Sequence, residues 1–398
     1  MIRVRRSSIQ SLPSTSPATP GALCCTLQIT IGENASPVPG LAIFDLRGDD
    51  PQSLFQSAEQ AACLATENYG QSFFKFWRNL RDRLEIWKRT NDRQAAFARF
   101  GLALVERAIL DAFCRSRERS ISELLQTNAF EIDLGMVCSP LKGRQPHELM
   151  EVPREEIPVR LQIDPAFDLS SADALQRLVT AHSLQRFSLE LQGNVDADFE
   201  RIQHLVQALD HLKVERYRLS FDGMQAFEPQ GLKNLWDRLE TEPTTSRLGR
   251  KVDYIEQPFA VENTFANSAV ALFAEWPNRP PILIDEADAI HGDCARSLEW
   301  GYSGSLYRAE RGFIPTVVDA CLIGARRERE PVGKWTYTGG LINASCHQSM
   351  TSDTAVAGAL GFGDILVPSQ ILESKSDEPM IDLTELREPY REIALAPA

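Results

Sequence analysis

The segments YRLSFDG (217–223), VDYIEQP (252–258) and PILIDEAD (281–288) decide the fold. Each is a short apolar run of strand length that closes on a carboxylate: Asp222, Glu256 and Asp285. Asp222 precedes Glu256 by 34 residues and Glu256 precedes Asp285 by 29, each close to the ~30 residues of one strand-plus-helix unit. Outward from these three the same grammar continues, with VRLQI and FSLELQ before them and GSLYR, LINASC and FGDILV after, helical stretches lying between. Strands that alternate with helices pair in parallel, and about eight of them over ~220 residues is the size of a closed barrel. The C-terminal ends of barrel strands share one mouth, so the three acids are expected to converge there.

Ahead of this region, IRVRRSSI from Ile2, CTLQITI from Cys25 and GLAIFDL from Gly40 read as strands joined by linkers rich in Ser, Pro, Gly and Asn, hence an antiparallel meander. Residues 51–126 read as helices. In RQAAFARFGLALVERAILDAFCRSRE, residues Phe97, Leu102, Val105, Ile109 and Phe113 recur at helical spacing. The expected organisation is α/β: an N-terminal α+β domain over 1–150, a (β/α) barrel over 151–368, and a polar segment 369–398 returning to the first domain.

With 398 residues, 43% hydrophobic and 24% charged, the chain has the composition of an ordinary globular protein with ample core. Its 55 acidic and 42 basic residues give a net charge of −13, which argues against nucleic acid or an anionic membrane as the main partner and leaves small molecules or proteins open. The 8 cysteines show no CxxC pair, as in a reduced compartment. The start lacks the apolar run of a signal peptide, and no stretch is apolar for long enough to span a bilayer. A cytoplasmic protein is expected, with homo-oligomerisation open.

Three carboxylates in a confined mouth need a compensating charge, and a hard cation with oxygen ligands supplies it; Mg2+ is the expected ion. The plainer reading is that these are rim acids satisfied by solvent or loop amides. Glu286 and Asp288 read as neighbours outside the ligand set.

These stretches together resemble the enolase superfamily, in particular its mandelate racemase and muconate-lactonizing branch, over nearly the whole chain. ALVERAILDAFCRSRERSISELL is similar to the helix closing that family's capping domain, and FSLELQGNVDADFERIQHLVQAL to its second-strand region. Asp222, Glu256 and Asp285 match its metal ligands, with Glu256 in the Glu-x-Pro setting EQP; GYSGSLYRAERGFIPTVVDACLIG is similar to its sixth-strand segment. The resemblance implies a TIM-type (β/α) barrel under an N-terminal capping domain, a magnesium site, and proton abstraction α to a carboxylate.

The departures are as telling. The family's Lys-x-Lys pair is missing from FSLELQG (187–193), Arg308 stands where relatives carry a sixth-strand lysine, and Gly223 and Met224 replace the usual residues after the first acid. A guanidinium, with a pKa above ~12, is a poor proton acceptor, so Arg308 reads as an electrostatic partner for a substrate carboxylate or enolate. His347, in NASCHQSMTSD, is the candidate base, since an imidazole titrates near ~6.5; a hydrogen-bonded core histidine is the alternative. His291 and Glu190 are weaker candidates. Two functions follow: a magnesium-dependent lyase or isomerase of racemase, epimerase or dehydratase type, or an inactive homologue acting as a binding or regulatory protein.

Overall fold

A computed structural model describes residues 1–13, 21–33, 35–46, 50–90, 95–169, 172–290, 292–331, 334–343, 347–373 and 394–396, with 95–97, 172, 347, 348, 373 and 394–396 described by backbone alone, so the side chain of Phe97 lies outside the description.

The N-terminal domain is built on strands β1 (Ile2–Leu12), β2 (Ala22–Ile31) and β3 (Val38–Asp45), with the two-residue β4 (Tyr69–Gly70) on the far side of β1; the sheet order is β3-β2-β1-β4. The pairings are antiparallel, as the alternating pattern requires. Ile2, Val4, Leu27, Ile29 and Phe44 are buried in the core shared with helices α1 (Pro51–Thr66), α2 (Phe73–Thr90) and α3 (Ala95–Arg117). Strand β3 lies so close to α3 that a Cβ at Gly40 would stand 2.1 Å from the Ala108 carbonyl. Leu102, Val105, Ile109 and Phe113 bury the apolar side of α3. The same helix carries buried Glu106 and Arg107, and these turn to the barrel. Glu106 accepts from the Phe313 and Ile314 amides, both at 2.8 Å, so an acid of the cap completes the open N-terminus of barrel helix Phe313–Arg329. At Gly312, φ is +95° and a Cβ would meet the Glu106 carboxylate at 2.5 Å, a position open only to glycine. Arg107 donates to the Tyr307 hydroxyl at 2.6 Å and pairs with Asp353 at 3.3 Å.

The barrel strands are β5 (Glu156–Ile163), β6 (Arg186–Glu190), β7 (Arg218–Asp222), β8 (Val252–Glu256), β9 (Ile282–Ile284), β10 (Gly304–Tyr307), β11 (Thr336–Gly339) and β12 (Ile365–Pro368), paired in parallel in chain order with β12 back against β5. A parallel bridge between Leu341 and Leu366 brings the last gap together. Two details differ from the sequence reading. The seventh strand is TYTG (336–339); of LINASC, Leu341 forms an isolated bridge outside that strand and residues 344–346 lie outside the described residues, and His347 begins the helix His347–Ala359 rather than standing near a strand end. Glycines explain the displacement, since a Cβ at Gly339 would stand 2.3 Å from the Asp364 carbonyl and the strand needs that approach, whereas apolar LINASC only mimics a buried run. The segment 369–398 was expected on the capping domain; of it, Ala394–Ala396 pairs in parallel with Glu156–Pro158 at the start of β5, a strand of the barrel.

Alternate residues of each barrel strand face inward. Three consecutive strands share a pattern: RLQID (160–164), RFSLE (186–190) and RLSFD (218–222). Register aligns Arg160, Arg186 and Arg218 at the floor, Gln162, Ser188 and Ser220 above them, and Glu190 beside Asp222 at the mouth. Tyr254, Leu283, Leu306 and Leu366 form a separate apolar cluster in the interior, while Leu161, Phe187, Leu189, Leu219 and Phe221 belong to the main core under the helices. No helix among the described residues is long and apolar enough to cross a membrane.

Candidate active site

Strand ends bring the mouth acids together. Asp222 and Glu256 are register partners on β7 and β8, and Asp285 follows β9 directly. Gln257 ties the last two ends to each other: its side-chain carbonyl accepts from the Asp285 and Ala287 amides at 2.8 and 3.1 Å, while its amide nitrogen donates to the Phe259 carbonyl and Thr264 hydroxyl at 2.8 and 2.9 Å. The glutamine of EQP therefore positions Asp285.

Arg308, immediately after β10, forks onto Asp285. Its Nε donates to Oδ1 at 2.9 Å and its Nη2 donates to Oδ2, while Nη2 stands 3.7 Å from Glu256 Oε1. Arg311, one short turn later, donates from Nη2 to Asp285 Oδ1 at 2.5 Å and to the Asp285 carbonyl, and from Nη1 to the Leu306 carbonyl at 2.6 Å. Its charge also faces Asp288 at 3.4 Å, whose carboxylate accepts from Ser305 Oγ at 2.8 Å. Two guanidiniums thus share one buried carboxylate. Burial opposes ionisation of Asp285, but Arg308 and Arg311 outweigh it and hold its pKa well below the usual range. Glu256, equally buried, is pushed well above the usual range, first by burial and then by the charges of Asp222 and Asp285. Burial and the neighbouring acids raise Asp222 to about 7, against a 2.9 Å hydrogen bond to its Oδ1 from the Met224 amide. Glu190 accepts from Gln162 at 2.7 Å, and burial, followed by the charge of Asp164, raises it too.

The predicted residues thus divide. Asp222, Glu256, Asp285 and Arg308 meet at the mouth, with Glu190 on the next strand and Glu286 exposed beside Asp285. The side chain of His347 and all of His291 lie outside the described residues. Sequence reasoning passed over Arg311 and Gln257; the signal for Gln257 was its place between the acid and the proline of EQP. It also passed over Arg99, which reaches from α3 to the Arg311 and Asp288 carbonyls at 3.1 and 2.6 Å. Lys213, Lys251 and Lys334 precede the barrel strands they adjoin, and Lys233 lies inside helix Pro229–Thr241, so none of these four stands at a strand's C-terminal end.

A divalent cation needs open carboxylate oxygens. Glu256 Oε2 is one, buried and without a hydrogen-bond partner. Both oxygens of Asp285, however, are held by guanidiniums. The donor set as arranged does not fit a three-carboxylate Mg2+ site, and no group of three or more His, Cys, Asp or Glu among the described residues is gathered to hold a metal ion.

The structure is similar to a mandelate racemase/muconate lactonizing protein from Herpetosiphon aurantiacus, at 16% identity and a TM-score of 0.64, over 92% of this chain and 88% of that one. It is similar to muconate cycloisomerase from Pseudomonas fluorescens at 19% identity and 0.62, over 99% and 94% of the two chains. It is also similar to muconate lactonizing enzyme from Pseudomonas putida at 17% and 0.62, over 94% and 90%. At such identities the likeness shows the fold: a capped barrel of the mandelate racemase/muconate-lactonizing type, as the sequence led us to expect. No family model matches the chain, and no curated protein matches it in sequence.

Proposed function

We propose that this chain is a small-molecule-binding protein that keeps the capped barrel of that fold but does not abstract protons through lysine at a metal-assisted site. The fork of Arg308 on Asp285 carries this reading, because it seats a cation among acids that would otherwise require one. A guanidinium cannot serve as a general base near neutral pH. With Asp222 titrating near about 7 and Glu256 higher, the mouth offers protonated carboxyls as donors beside acceptors, which suits a polar ligand rich in hydroxyl or carbonyl groups. Incubation in deuterated water with a panel of hydroxy-acid and amino-acid carboxylates, with and without Mg2+, tests the reading. No exchange into the α position is expected, and exchange that disappears in Glu256→Gln would overturn it.

The orphaned Glu256 oxygen favours a second reading: Asp222, Glu256 and Asp285 take Mg2+ in a lyase or isomerase acting α to a carboxylate, with His347 as base and Arg308 as electrostatic partner. Isothermal titration with Mg2+ separates the two. The binding reading expects no heat from the native chain; heat that Asp222→Ala abolishes would favour the second.

A further inference from the structure

On the face opposite the mouth, where β7 and β8 begin, the protein has a cavity of about 900 Å³ bordered by Arg218, Arg247, Arg250, Lys251 and Lys334. Its two acidic neighbours are committed within the fold. Asp253 accepts from Arg160 and from Arg218 Nε, and Glu240 accepts from the Trp236 indole at 2.9 Å. Three of the five cations are also engaged: Arg218 by Asp253 and by the Arg250 carbonyl at 2.7 Å, Lys334 by the Arg279 carbonyl at 2.9 Å, and Lys251 by the Tyr217 ring, 3.4 Å from its ammonium. Arg247 and Arg250 are exposed, and neither guanidinium has a hydrogen-bond or ion-pair partner among the described residues. They flank the 3₁₀ turn Leu248–Arg250, whose three-residue period sets side chains three apart nearly in line. Two guanidiniums with no partner among the described residues thus line one cavity from one short turn.

A guanidinium fork grips carboxylate or phosphate bidentately, and a phosphate offers enough oxygens for two forks at once; the Trp236, Pro280 and Pro281 side of the cavity gives an organic moiety an apolar wall. The volume falls within the ~300–1,000 Å³ of small-molecule sites. We propose that this cavity binds a small organic phosphate, gripped by Arg247 and Arg250, at a site separate from the mouth. It does not depend on whether the mouth binds or catalyses.

Isothermal titration of the full chain with inorganic phosphate, a pentose phosphate and adenosine monophosphate tests it. The esters are expected to bind more tightly than inorganic phosphate, with an affinity that falls as salt rises. The double variant Arg247→Gln/Arg250→Gln should weaken binding at least about tenfold with an unchanged melting temperature, since both side chains are exposed and unpaired. Equal heats from native and double variant, or none from any probe, would overturn the proposal. So would inorganic phosphate binding as tightly as the esters, or loss of binding in Glu256→Gln with the double variant unaffected, which would place the anion at the mouth.

Discussion

At the floor of the barrel, arginines stand on β5, β6 and β7 and aspartates neutralise them; at the mouth, acids stand on β6, β7, β8 and just after β9, and Arg308 and Arg311 neutralise the last of these, Asp285. The two ends differ in how far the neutralisation goes. At the floor, Arg160 bonds Asp364 at 2.7 Å and Asp253 at 2.5 Å, Arg186 reaches Asp364 at 3.2 Å, and Thr338 donates to Asp364 at 3.2 Å. Burial opposes ionisation of Asp253, but Arg160 and Arg218 hold its pKa below the usual range. At the mouth, Arg308 and Arg311 satisfy Asp285 and leave Glu256 with a buried oxygen that has no partner. Saturation does not separate the two ends, since Arg160 Nε at the floor is also buried without a partner; ionisation does, the floor holding Asp253 charged while the mouth presses Glu256 and Asp222 toward the protonated form.

The sharpest way to break this comparison is to remove one arginine from each end. Arg160→Met removes a fully buried cation, although Arg186 stays on Asp364 and Arg218 on Asp253, and urea unfolding should show a loss of about 3 kcal/mol. Arg308→Met should lose only about 1–2 kcal/mol, because Arg308 is less buried than Arg160 and Arg311 stays on Asp285, and on the binding reading it should gain a Mg2+ titration heat not expected of the native chain. Equal losses at both ends, with no metal binding gained, would erase the distinction.

A pH profile sharpens it from another side. In the folded chain Glu256 and Asp222 keep protons that the unfolded chain releases near pH ~4. The folded state therefore binds more protons between about pH 4 and 7, and stability falls as pH rises through that window. Asp253 has the opposite sign: its contribution is present above pH ~4 and fades only below it. Denaturation at pH 5 and 8 should differ by roughly 1–3 kcal/mol, and Glu256→Gln should flatten the slope; an unchanged slope would remove the mouth acids as its source. The smallest effect belongs to Arg186, whose side chain is 32% exposed: Arg186→Ala should cost less than ~1 kcal/mol, with little change in the urea midpoint.

Much of this architecture is legible in the sequence, and the exceptions have physical causes. The acids at Asp222, Glu256 and Asp285 stand out because each ends an apolar run and the repeat length is fixed by geometry. TYTG escapes because a strand that needs glycine for close approach lacks the apolar signature, and LINASC supplies that signature just beyond the strand. The arginines of RLQID, RFSLE and RLSFD look like solubilising surface charges until parallel register stacks them on one level of the interior. The Arg308 fork is invisible for a related reason: two side chains 23 residues apart meet only because β9 and β10 are neighbours. Glu106 and Arg107, an adjacent charged pair within ALVERAILDAF, did carry a signal, being with Asp111 the only charged residues in an otherwise apolar stretch.

That pair bears on how the protein is made. Glu106 waits for amides 207 residues further along the chain, and at ~5–20 residues per second the ribosome needs roughly 10–40 s to deliver them. Throughout that interval the cap can close its own meander, yet the inner side of α3 lacks the barrel groups it later meets, the Phe313 and Ile314 amides that Glu106 accepts from among them. Nascent chains halted before residue 313 should therefore expose α3 to proteases and chaperones, and the two domains become a single cooperative unit only when the sixth strand and the helix after it have left the exit tunnel.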